Sequence, residues 1–314
     1  MKVPESINRL REICQVSFHE WGDQPWAFMQ IRKVSIYLTW ALLHFPLTAN
    51  NITLLGIATG LLASVLFGLN YLIAGVICLQ FSILLDFCDG EVSRYRKQQS
   101  KEGTYLDKIY HFCVHPSIFA GITIGANQIH PATWIVVVGF ISTISVFVDV
   151  MTRGYATEIA IWIHCRRLLS KLNAALEVDP KGQSLFRDLL NCDFHNQTSI
   201  TAMNGRTKHS NLARIFKNII CTWDFPYIFI VLTVVVLIQL FISMVCIGDA
   251  CFTPLELILL FYAITYPLSI ISFLFYNLAT RPIGRGYNSF VHDLLLLLNR
   301  TSKINIDALV KSDK

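Results

Sequence analysis

The sequence predicts an all-α membrane protein, a six-transmembrane-helix bundle with an N-terminal interfacial helix and a cytoplasmic insertion between spans four and five. Three observations carry this. Of the 314 residues, 54% are hydrophobic and 15% charged, whereas an average soluble domain is about one quarter charged. The apolar residues gather into long stretches, and the mean hydropathy is +0.50. The lysines and arginines fall into four blocks, and the connections on the opposite side of the predicted bundle hold none.

The elements follow in order. Met1–Lys33 is too polar to hold the apolar centre of a cleavable signal peptide, so none is expected. It supplies a surface helix instead, and Val34–Phe45, with Tyr37 and Trp40, reads as an interfacial segment too short to cross alone. Residues 1–48 are therefore an N-terminal cytoplasmic and interfacial segment. Spans one to four lie within 49–161, at Ile52–Leu69, Tyr71–Leu85, Ile109–Ala126 and Trp134–Val150. A membrane helix needs roughly 17–25 residues, so Tyr71–Leu85 is short unless the polar end that begins at Asp86 has a purpose. Residues 162–217 form a polar cytoplasmic insertion, with Pro180–Gly182 and Asn204–Gly205 as turn signals. Spans five and six, Ile219–Val245 and Leu255–Ala279, lie within 218–280, and 281–314 is a cytoplasmic tail.

Charge sets the orientation. The basic blocks precede span one, separate spans two and three, separate spans four and five, and follow span six; together they hold all 26 lysines and arginines. The connections Gly68–Tyr71, Gln128–Thr133 and Ser243–Pro254 hold none. By the positive-inside rule both termini face the cytoplasm, in a bacterial inner membrane or the endoplasmic reticulum. The net charge of +5 is thereby a topological signal, and the expected surroundings are membrane lipids, with no nucleic-acid partner. The nine cysteines form no CxxC pair. Cys246 and Cys251 flank an outer connection, where a disulfide can form.

The chemistry gathers between residues 86 and 111. Asp86, Asp89 and Asp107 stand at the cytoplasmic ends of two apolar helices. Ionised carboxylates at that depth are costly unless they face the bundle interior and are paired. Three together also repel one another, and a divalent cation is the simplest remedy. Asp86 and Asp89, at i and i+3, share a helix face, and so do Asp107 and His111 at i and i+4. Facing each other, the two faces build an oxygen-rich site suited to Mg2+ or Mn2+. Gly90 lets a phosphate approach the backbone, and Arg94, one turn on, meets a phosphate oxygen.

These intervals resemble the motif of the CDP-alcohol phosphotransferases. Asp86, Asp89, Gly90, Ser93, Arg94, Gly103 and Asp107 match it at every spacing, and Asn50 with Thr53 matches a weaker element at the start of span one. The first thirty or so residues and Trp162–Asn218 are not covered. The resemblance implies six spans, Asp86, Asp89 and Asp107 as metal ligands, and Asn50, Thr53, Gly90, Arg94 and Gly103 as nucleotide-binding residues. It implies a CDP-alcohol donor, most simply CDP-diacylglycerol, an alcohol acceptor and release of CMP. Two metal ions are expected, the second held more weakly. The family is commonly dimeric, which leaves a homodimer open.

The departure is His111, where the family has a fourth aspartate thought to deprotonate the attacking hydroxyl. It has three readings: the replacement general base, a metal ligand, or the mark of lost catalysis. Around it, His115 extends the polar face toward the acceptor or is a packed core histidine. Arg153 pairs with Asp149 or meets a negatively charged acceptor. Glu91 and Glu102 read as solvated residues at helix ends. Three other functions stay in play: transfer from a soluble CDP-alcohol to a lipid alcohol, a UbiA-type prenyltransferase, and a non-catalytic CDP-lipid-binding homologue. The prenyltransferase calls for a second aspartate cluster, and Asp149, Asp188, Asp193 and Asp224 are isolated.

Overall fold

The computed structural model describes residues 5–15, 26–152 and 225–280, without the side chains of Trp26, Ile247 and residues 276–280. The 162–217 insertion, the 281–314 tail and Arg153 lie outside the described residues. The chain divides into two units, residues 1–154 with 209–272, and residues 155–208 with 273–314. The site and its supports all belong to the first.

Eight helices and one hairpin make up the described residues. They are α1 (Ile7–Cys14), α2 (Trp26–Leu42), α3 (Ala49–Gly68), α4 (Leu72–Arg96), α5 (Lys101–Ile129), α6 (Thr133–Val150), α7 (Tyr227–Phe241), β1 (Val245–Ile247), β2 (Ala250–Phe252) and α8 (Pro254–Thr280). Five of them, α3, α4, α5, α6 and α8, are long and apolar enough to cross a membrane. Helix α7 has 15 residues, about 22 Å at 1.5 Å per residue, less than a roughly 30 Å hydrocarbon core.

Local chemistry sets the ends. Thr48 caps α3 and Ser100 caps α5, each with its side-chain oxygen accepting from a backbone N–H three residues on. Asn70 turns the chain between α3 and α4 with φ 62°, and Asn is among the residues that tolerate the left-handed region. Its side-chain amide donates to the Gly125 carbonyl of α5 at 3.1 Å. Span five ends earlier than its hydropathy suggests. The helix stops at Phe241, and Val245–Phe252 folds back as a two-stranded antiparallel hairpin. Gly248, at φ 63°, makes the turn, and β-branched Val245 and Ile247 suit the strand. Cys246 and Cys251 face each other across it and are joined by a disulfide. A small β element thus stands within an otherwise helical architecture.

Helices α3, α4 and α5 form the centre. Gly56, Gly60, Ser64 and Gly68 recur every fourth residue on α3, as do Ser117, Gly121 and Gly125 on α5. Small residues at this spacing let backbones approach closely, the usual contact between helices in lipid. A Cβ on Gly121 would collide with the Ser64 backbone carbonyl, and one on Gly125 with that of Phe67. Ser64 Oγ donates to the Ser117 carbonyl across the same contact. Phe67, Leu79, Tyr110, Phe119, Phe229 and Tyr262 fill the remaining core.

The N-terminal helices dock on α4. Leu10 and Cys14 of α1 and Ile36 of α2 pack with Leu85, Cys88 and Val92 of α4. The predicted surface helix therefore buries its apolar side on protein. Glu91 requires a correction, because it is 1% exposed and not solvated. Its carboxylate accepts from Gln15 Nε2 at 2.6 Å, Ser35 Oγ at 2.8 Å and Thr39 Oγ1 at 2.6 Å. A buried carboxylate survives only with such donors, and Ser35 and Thr39, four apart on α2, present two on one face. Glu102, in the first turn of α5, is exposed as expected.

Candidate functional site

Helices α4 and α5 carry the site on facing sides. One donor atom from each of Asp86, Asp107 and His111 lies within 4.8 Å of the other two. His111 Nε2 stands 3.8 Å from Asp107 Oδ1. Asp86 Oδ1 is buried with no hydrogen-bond partner, although a buried carboxylate oxygen without a donor is strongly disfavoured.

Asp89 sits one turn further along α4, 8% exposed. Thr53 Oγ1 of α3 lies 2.5 Å from its Oδ2. Thr53, expected at the nucleotide, thus has a definite partner in a motif carboxylate. Gly90 lies beneath the Arg94 guanidinium, and a Cβ there would be 3.2 Å from Arg94 Nη1. Arg94 Nε donates to the Cys14 carbonyl at 2.6 Å, so the end of α1 holds this side chain. Asn50 and Gly103 are neighbours across α3 and α5, where a Cβ on Gly103 would be 3.4 Å from Asn50 Oδ1.

His115 is 6% exposed. Its Nε2 lies 3.0 Å from His111 Nδ1, and its ring stacks on Phe225 at 5.1 Å. Phe225 also meets the His111 ring edge-on at 5.1 Å. Phe225 packs in turn against the rings of Phe28 and Phe87. Outside the spanning helices, the Cys14 thiol is pushed up to about 11, chiefly by burial and secondly by Glu91. Burial, then the neighbouring Arg94 cation, lowers the Arg32 guanidinium from its ordinary value.

The structure therefore joins Asp86, Asp107 and His111, pairs Thr53 with Asp89, Arg94 with Gly90 and Asn50 with Gly103, and places His115 behind His111. Sequence reasoning missed Glu91, Gln15, Ser35, Thr39 and Phe225. A sequence signal existed for one pair, since Ser35 and Thr39 are polar residues at i and i+4 in the apolar stretch Val34–Leu43.

Residues 46–170 match the model of the CDP-alcohol phosphatidyltransferase family. Over these residues the chain is similar to that family. A search of curated proteins finds no match. CDP-alcohol phosphatidyltransferases are metal-dependent transferases that use a CDP-alcohol donor and an alcohol acceptor. The match spans α3 to α6 and every motif residue, whereas Gln15, Ser35, Thr39 and Phe225 lie outside it. The residues present fit a divalent ion. Ligand distances of about 2.0–2.2 Å place donor atoms about 3 Å apart when adjacent and about 4.4 Å apart when opposite. Three donors within 4.8 Å of one another therefore come within reach of a single ion by side-chain adjustment. The unpartnered Asp86 oxygen is the atom such an ion would satisfy.

Proposed function

We propose that this protein moves a substituted phosphate from a CDP-alcohol, with CDP-diacylglycerol as the donor, onto the hydroxyl of a second alcohol, releasing CMP. The cluster of Asp86, Asp107 and His111, with its orphaned carboxylate oxygen at a family motif position, is the observation that carries this reading.

Asp86, Asp89, Asp107 and His111 would hold Mg2+ or Mn2+, two ions at most, the second more weakly because His111 brings no negative charge. A divalent ion there supplies charge neutralisation for the pyrophosphate and polarises the phosphorus under attack. Thr53 orients Asp89. Gly90 leaves room for the nucleotide, Arg94 offers a guanidinium held in place by the Cys14 carbonyl, and Asn50 and Gly103 close the same region. His111 can serve as nitrogen ligand or as proton acceptor for the attacking hydroxyl. Its place within the donor cluster favours the ligand role.

The orientation belongs to the same proposal. The chain spans the membrane six times, with the cluster and both termini on the cytoplasmic side, supported by the placement of all 26 basic residues. A lipid donor would then keep its tails in the bilayer while its pyrophosphate reaches Asp86. Purified protein incubated with labelled CDP-diacylglycerol and a panel of small alcohols tests the assignment. CMP release dependent on one alcohol is the expected result. Release only from CDP-choline or CDP-ethanolamine with a lipid alcohol would reverse donor and acceptor, and nucleotide binding with no release from any pair would overturn the transferase reading.

A further inference from the structure

We infer that His115 is a positioning residue that accepts the Nδ1–H of His111, thereby presenting the His111 Nε2 lone pair as a nitrogen ligand to a metal between Asp86 and Asp107. The inference rests on the metal-site reading proposed above and deepens it.

Three observations converge. His111 and His115, four residues apart on α5, share a face, and their rings meet nitrogen to nitrogen at 3.0 Å. The opposite nitrogen of His111, Nε2, is the one that faces Asp107, at 3.8 Å. His115 is also clamped: stacked on Phe225 with rings 25° from parallel, and edge-on to Phe229 at 4.9 Å. A ring fixed this way cannot turn aside, so its Nε2 stays on His111 Nδ1.

One proton occupies the line between two neutral rings. If His115 donated it, His111 would carry its own proton on Nε2, and no lone pair would face the carboxylates. If His111 donates, Nε2 is free to bind a cation. Metal-bound histidines characteristically donate their second ring N–H to a neighbouring acceptor, and losing that acceptor weakens metal binding by about 10–100-fold. Here the acceptor is a second histidine. The fourth motif aspartate and its direct negative charge are thus replaced by a two-histidine unit, held by Phe225 from outside the family-matched region.

The test is Mn2+ binding to the purified full chain, followed by electron paramagnetic resonance with detection of 14N coupling. The parent protein is expected to bind Mn2+ with 14N coupling. His115→Phe, which keeps the aromatic packing, should weaken Mn2+ binding about 10–100-fold and lose the coupling. His115→Gln, which keeps an acceptor oxygen, should recover most of the affinity. His111→Asp should bind Mn2+ without coupling, and adding His115→Phe to it should change the affinity no further. A parent spectrum lacking 14N coupling, or His115→Phe and His115→Gln both behaving as the parent, overturns the inference while leaving the metal site standing. No Mn2+ binding by the parent overturns the metal-site reading as well.

Discussion

Thr53 Oγ1 on α3 and Asp89 Oδ2 on α4 lie 2.5 Å apart, so one motif carboxylate is oriented by a hydroxyl from the neighbouring helix. Thr53→Val preserves shape and removes the donor. A buried carboxylate that loses a hydrogen bond is disfavoured by about 1–3 kcal/mol, and Asp89 also gains freedom to turn. CMP release by Thr53→Val should fall about tenfold or more, while Thr53→Ser keeps most of it. Unchanged rates in both variants would remove Thr53 from the site.

Glu91 ties α1 and α2 to the motif helix. Glu91→Ala strands Gln15, Ser35 and Thr39 without their shared acceptor and should lower stability by about 2–4 kcal/mol, read as a fall in the thermal midpoint in detergent. Cys14 gives a second readout. With its thiol pushed up to about 11, almost none is thiolate at neutral pH. In the parent, labelling by a thiol-directed reagent should therefore stay slow near pH 7 and rise about tenfold per pH unit until that value. In Glu91→Ala the loosened α1 exposes Cys14, and labelling near pH 7 should accelerate. Glu102→Gln, on the exposed first turn of α5, should change neither readout.

The glycine spacing of α3 and α5 predicts a contrast. A Cβ on Gly121 would strike the Ser64 backbone, which cannot move aside as a side chain can. At Gly68 the nearest atom would be 3.7 Å away. Gly121→Ala should destabilise by about 1–3 kcal/mol, and Gly68→Ala should be nearly neutral. Equal thermal midpoints for the two variants would mean that α3 and α5 are not packed this closely.

Particular residues show what was legible in the sequence. The lengths of α3, α6 and α8 follow from runs of apolar residues, because lipid selects on composition over a fixed thickness, whereas α5 begins eight residues before its apolar run, at Lys101. Asp86, Asp107 and His111 were legible because local helical spacing puts each on a defined face. Glu91 was not. Its partners are 52 to 76 residues away, and nothing local separates a carboxylate bonded from afar from a solvated one. Phe225 escaped for the same reason, meeting His111 and His115 across more than a hundred residues. The end of span five was misjudged because hydropathy does not distinguish Val245 and Ile247 in a strand from the same residues in a helix. Gly248 and the Cys246–Cys251 pair were the local signs of a turn.

The most direct measurement is CMP release from CDP-diacylglycerol by the purified protein before and after exhaustive chelation, with Mg2+ or Mn2+ restored in steps, alongside Asp86→Asn. The account predicts that release stops on chelation, returns with either ion, and does not return at those concentrations in Asp86→Asn. A full rate in the chelated protein, or parental ion dependence in Asp86→Asn, would contradict it.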